Sequence, residues 1–96
     1  MDEFNLISKK GLYLRCWLET VSTDKIIIFS HGFTGDKSEH GKFDQAAKEL
    51  KNKGFSVLRF DYSGCGESED NILNINDMVD ELKLMVSFVK KKGFNM

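Results

Sequence analysis

Two stretches of this 96-residue chain concentrate the side chains that can do chemistry. One is Ser30-His31-Gly32-Phe33-Thr34-Gly35, directly after the apolar run Ile26-Ile27-Ile28-Phe29. The other is Asp61-Tyr62-Ser63-Gly64-Cys65-Gly66-Glu67-Ser68, directly after Phe55-Ser56-Val57-Leu58-Arg59-Phe60. Each sets imidazole, carboxylate, thiol or hydroxyl groups among glycines. The glycines turn the chain and let its backbone approach another group closely. A strand that runs into such a turn and then into a helix is where α/β proteins place ligands, at the carboxyl ends of the strands.

The elements that would hold these loops are legible from periodicity. Phe4–Ser8 and Leu12–Leu18 read as two strands of a hairpin, with Gly11 in the turn. In the second, Leu12, Leu14, Cys16 and Leu18 share one face, and Tyr13, Arg15 and Trp17 share the other; Trp17 reads as sheet packing. Val21-Ser22-Thr23-Asp24 is a polar turn into a strand over residues 25–30. That strand is continuously apolar, which predicts burial on both faces. A helix capped by Ser38 should run to about Lys53, with Phe43, Ala46, Ala47 and Leu50 inward and Gly54 at its end. Residues 55–60 read as a second buried strand. Asn74 should cap a last helix whose apolar stripe is Ile75, Met78, Val79, Leu82, Met85, Val86 and Val89, ending at Gly93. The order is β-β-β-α-β-α. Two strands joined through a helix should be parallel, with a right-handed crossover.

Composition bounds the function. The length suits one domain, and 41% hydrophobic with 30% charged residues supports a core. A formal charge of -1 gives no reason to expect nucleic acid or an anionic membrane. Lys90-Lys91-Lys92 closes a helix, where cations suit the dipole. Two cysteines, Cys16 and Cys65, make neither a disulfide framework nor a metal cluster, so reduced thiols and a cytoplasmic location are expected. The start, Met1-Asp2-Glu3, is unlike a signal peptide, and no apolar stretch approaches the roughly 18 residues of a membrane span. No cofactor and no metal are implied. Gly32-Phe33-Thr34-Gly35-Asp36-Lys37-Ser38 is like a P-loop, but Asp36 replaces the glycine before the lysine and opposes phosphate. Gly64-Cys65-Gly66-Glu67-Ser68-Glu69 follows a strand like a dinucleotide fingerprint, but Glu69 replaces the third glycine. A nucleotide-binding module is therefore the weaker reading.

The two loops, in this order and each followed by a helix, resemble the N-terminal part of an α/β-hydrolase. His31-Gly32-Phe33-Thr34-Gly35 matches the loop after the family's third strand. Asp61, Gly64, Gly66 and Ser68 match its Asp-x-x-Gly-x-Gly-x-Ser loop after the fourth. The chain is similar to small bacterial cinnamoyl and feruloyl esterases and to the monoacylglycerol-lipase and serine-aminopeptidase-like group. The resemblance implies hydrolysis of carboxylic esters, or related acyl bonds, by a Ser-Asp-His triad with an oxyanion hole. It makes the N–H of Phe33 an oxyanion donor, with Gly32 giving close passage and His31 bracing the loop. Asp61, Gly64, Gly66 and Ser68 would shape a tight loop at the site's rim.

The resemblance also implies what residues 1–96 do not hold. The nucleophile elbow is Gly-x-Ser-x-Gly on a strand-to-helix turn. None of the candidates completes it: Ser30, in Ile28-Phe29-Ser30-His31-Gly32, lacks the first glycine, Cys65 lacks both, and Ser63 and Ser68 fail as well. In the family the elbow follows the helix that here ends near Lys92, and the acid and the histidine come later. The chain is thus expected to be a partial α/β-hydrolase domain over 1–96, ending before the nucleophile-elbow strand. It would carry no nucleophile, acid or base and be inactive alone. Its expected partners are a small ester-type substrate of the full-length family and either a second copy of itself or a complementing C-terminal hydrolase half. A non-catalytic interaction or regulatory protein on the abbreviated fold is the alternative.

Overall fold

The computed structural model of the chain describes residues 1–33 and 35–95; Thr34, within the first loop motif, and Met96 lie outside the described residues. Six elements follow the anticipated order: β1 Asp2–Ile7, β2 Tyr13–Glu19, β3 Ile26–Phe29, α1 Lys42–Asn52, β4 Ser56–Phe60 and α2 Ile75–Lys91. The strands form one mixed sheet in the order β1-β2-β4-β3. β1 pairs antiparallel with β2, β2 antiparallel with β4, and β3 parallel with β4. Both glycine loops therefore leave the same end of adjacent parallel strands.

The helices lie on opposite faces, as the alternation of the strands requires. Toward α2 point Leu14, Cys16 and Leu18 of β2, Ile26 of β3, and Leu58 and Phe60 of β4. They pack with Met85, Val89 and Phe94. Phe4 of β1 meets Phe88 of α2, ring centroids 5.1 Å apart. On the other face Phe29 meets Phe43 of α1 edge-on at 4.8 Å, and Trp17 lies under two cations, Lys37 Nζ at 4.3 Å and Arg59 at 4.9 Å. Trp17 is thus a packing residue, as expected.

The expected burial of the β3 run needs correction. β3 is an edge strand, and only Ile26 is buried; Ile27, Ile28 and Phe29 are half-buried. The wholly buried, central strand is β4, paired on both sides. An apolar run reports affinity for a core and not which strand stands in the middle, because that depends on pairing partners distant in sequence.

Two helix details also differ. Ser38 does not cap α1: the helix starts after Gly41, in the left-handed region at φ 86°, with no side-chain cap. Asp36 instead accepts the N–H groups of Ser38 and Glu39, at 2.8 and 2.9 Å, so residues 36–41 make turns before the helix. In α2 the buried line is Asp77, Glu81, Met85 and Val89, while Ile75 and Val79 are exposed. Both ends match expectation. Asn74 caps α2 by accepting the Asp77 N–H at 2.8 Å. Gly54 and Gly93, at φ 90° and 89°, close α1 and α2 in paired backbone bonds: Gly54 to Lys51 O with Phe55 to Leu50 O, and Gly93 to Lys90 O with Phe94 to Val89 O.

Candidate functional site

The first loop rests on the second. His31 is buried, and its Nε2 accepts the N–H of Tyr62 at 3.1 Å. That acceptor role puts the ring proton on Nδ1, which donates to Gly32 O at 2.7 Å. The His31 ring also meets the Tyr62 ring edge-on at 5.0 Å. One imidazole thus spans both loops and fixes the carbonyl that Gly35 N–H also bonds, at 3.1 Å. Phe33 stands at the apex, 48% exposed. Its C=O accepts from Cys65 Sγ at 3.6 Å, while its N–H makes no hydrogen bond to any described residue. A Cβ on Gly32 would meet nothing within 4 Å, so the ground beside the loop is open.

The second loop is built on Asp61, which has no exposed surface. Oδ1 accepts the Lys37 N–H at 2.7 Å, and Oδ2 accepts Lys37 Nζ at 2.6 Å and the Glu67 N–H at 2.9 Å. A Cβ on Gly66 would come within 2.4 Å of that carboxylate, and one on Gly64 within 2.4 Å of Asn71 O. Both glycines have positive φ, at 49° and 83°, so close packing and backbone conformation both require glycine there. Ser68 Oγ donates to Asp61 O at 2.7 Å and accepts the Arg15 N–H at 2.8 Å, tying the loop to β2.

Two residues complete this arrangement that the sequence does not assign to it; Lys37 reads there only as the lysine of a P-loop-like stretch. Lys37 is buried with its ammonium between Asp61 and Glu67, the latter at 2.7 Å. Burial works against its charge, but the hydrogen bonds to those carboxylates outweigh it and raise the Lys37 pKa above the lysine value; the same bond holds Glu67 low. Glu81 of α2 is the other. Its carboxylate takes both the N–H and the Oγ of Ser63, at 2.8 and 2.6 Å. A signal for Glu81 existed, since it falls one helical turn before Met85 and two before Val89, on the line that those two apolar residues continue. Lys37 carries no periodic signal. The thiols are not poised for attack: burial pushes Cys16 up to about 12, and burial, then Asp61, raises Cys65. Among the described residues no group of His, Cys, Asp and Glu could hold a metal ion, and no helix is long and apolar enough to cross a membrane.

Strand-loop-helix twice over, on one mixed sheet with a hairpin leading in and a helix on each face, is the N-terminal portion of an α/β-hydrolase. Residues 21–95 match the family model for serine aminopeptidase, S33, and the chain belongs to that family. Among solved structures it is similar to the α/β-hydrolase GrgF from Penicillium sp. sh18, with 25% identity and TM-score 0.82 over 93% of this chain and 32% of that one. It is also similar in fold to esterase Pf2001 from Pyrococcus furiosus, at 22% identity and TM-score 0.84, covering 94% of this chain and 36% of that one. A third is Est1E from Butyrivibrio proteoclasticus, determined with ferulic acid bound, at 23% identity and TM-score 0.86 over 97% and 39%. The chain thus spans about a third of the length of these structures. Among curated protein sequences there is no significant match.

Proposed function

We propose that this chain supplies the oxyanion loop of an esterase-type serine hydrolase and performs no turnover by itself. The observation that supports this most directly is the Phe33 N–H. It makes no bond to any described residue, at the apex of a loop whose base is pinned by His31 and whose flank is open at Gly32. When a hydroxyl attacks an ester, the carbonyl oxygen gains negative charge, and a backbone N–H already aimed at it lowers the barrier by about 2.7–4 kcal/mol. A second donor comes from the residue after the nucleophile, which residues 1–96 do not offer in any Gly-x-Ser-x-Gly setting. A complete oxyanion hole with its binding site but no triad retains about 10³–10⁴-fold over water, and here one donor acts without the rest. In this reading His31 braces the loop, and Asp61, Gly64, Gly66 and Ser68 give the second loop its shape.

The reading extends to a partner: a polypeptide carrying the elbow, acid and base, seated against the open edge of β3. Two assays test it. Purified chain with an activated aryl ester should give the rate of buffer alone. Mixed with a hydrolase-derived polypeptide that starts at the elbow strand, it should gain turnover that Gly32→Val removes. Turnover by the chain alone, free of contaminating esterase, overturns the proposal. So does a sharply melting monomer that binds no such polypeptide, an outcome that fits a non-catalytic protein on the abbreviated fold.

A further inference from the structure

The first glycine loop has two feet, and they stand on consecutive residues of the second. At one foot the Tyr62 N–H donates to His31 Nε2 at 3.1 Å. At the other, Asp61 receives both the N–H and the Nζ of Lys37, at 2.7 and 2.6 Å. Between the feet lie Gly32, Phe33 and Gly35. We infer that Lys37 is a positioning residue for this loop: its ammonium and amide clamp the outgoing foot to Asp61 and so fix where the Phe33 N–H points. The importance of that direction rests on the proposed oxyanion role; the clamp itself does not.

Three features support a positioning role over generic charge pairing. First, the contact is two-pronged and local. Asp61 is gripped by the backbone and the side chain of the same residue, which fixes the direction of the chain at Lys37 as well as its distance. A single surface pair leaves direction free. Second, the pair is enclosed. The Lys37 side chain is 5% exposed and that of Asp61 0%, and the ammonium has the Trp17 ring over it at 4.3 Å. Removing one partner of such a pair leaves a buried charge uncompensated. Detachment of the foot is therefore costly while both are charged. Third, Asp61 is fixed from beneath: its C=O accepts from Ser68 Oγ, and its N–H donates to Arg15 O at 3.0 Å. The anchor belongs to the rigid sheet, so the clamp transmits the position of β4 and β2 to the loop. Glu67, whose side chain is 60% exposed, is an auxiliary partner of the ammonium.

NMR of the full chain tests this without any activity. In the unsubstituted chain the His31 ring nitrogens should report a single tautomer with the proton on Nδ1. Lys37→Met, which keeps the stem and removes the charge, should shift the Phe33 amide and average the His31 nitrogens toward both tautomers while the Leu58 amide stays protected. Lys37→Arg should restore part of the His31 signature, and Glu67→Gln should leave it unchanged. A folded Lys37→Met chain that keeps the Nδ1–H signature and the Phe33 shift overturns the inference. Should Lys37→Met not fold, hydrogen exchange of the unsubstituted chain across a denaturant series decides. The Lys37 and Tyr62 amides, one at each foot, should open as a unit, with protection alike to within about threefold. A difference beyond about tenfold, which corresponds to 1.4 kcal/mol, overturns it.

Discussion

Asp61 accepts three hydrogen bonds on its carboxylate and has no exposed surface, so the residues crowding it have little latitude. Gly66→Ala would push a Cβ to 2.4 Å from that carboxylate at a φ of 49°. It should lower unfolding free energy by about 1–3 kcal/mol in urea titrations, the usual cost of a strained backbone position. Gly32→Ala meets open space and has no positive φ; it should change stability by less than about 0.5 kcal/mol. The contrast separates a glycine that packing requires from one that stands beside open space. The thiols give a further test. With Cys16 pushed up to about 12, its thiolate fraction at pH 8 is about one in ten thousand, and the thiolate is the reactive form. A disulfide reagent at pH 8 should label the native chain slowly at Cys16 and quickly once urea unfolds it.

At the scale of elements, the entry to α2 carries the most concentrated polar wiring. Asn74 caps the helix, and Asp77 takes bonds from Asn74, Lys10 and Asn71, at 2.8, 2.9 and 2.9 Å, joining helix, loop and hairpin turn. These bonds, Asn74 first, hold the Asp77 pKa down to about 2 from 3.8. A depressed carboxylate contributes stability that is whole above its unfolded pKa and is lost as pH falls through the folded one. The melting temperature should therefore drop between about pH 4 and pH 2, and Asp77→Asn should flatten that part of the profile. Glu19, where bonds from Lys51 and Arg59 outweigh the opposing effect of burial, loses stability in acid in the same direction. Asn74→Ala should cost about 1 kcal/mol, as loss of a side-chain cap does, read as reduced helicity and a lower denaturation midpoint.

The whole molecule folds around a sheet whose β3 edge is open among the described residues, yet its radius of gyration, 12.7 Å, is near the about 13 Å of a compact 100-residue domain. Met85 has no exposed surface and sits in the core with Cys16 and Phe60. Met85→Ala should cost about 2–5 kcal/mol, against the about 5–15 kcal/mol that holds a typical domain together, and calorimetry should show a broad or absent transition. An unpaired apolar edge is a template for strand addition. Sedimentation of the chain alone should accordingly show mass rising with concentration. The sequence by itself determined the element order, the hairpin faces, the glycine stops of both helices and the two loop motifs, because those depend on neighbours within a few residues. Long-range pairing alone settles that β4 is buried throughout while the β3 run is mostly half-buried, that Glu81 meets Ser63, and that Lys37 meets Asp61. Each of those depends on groups that meet only when distant segments pair, and a buried charge becomes affordable only once its partner is in place.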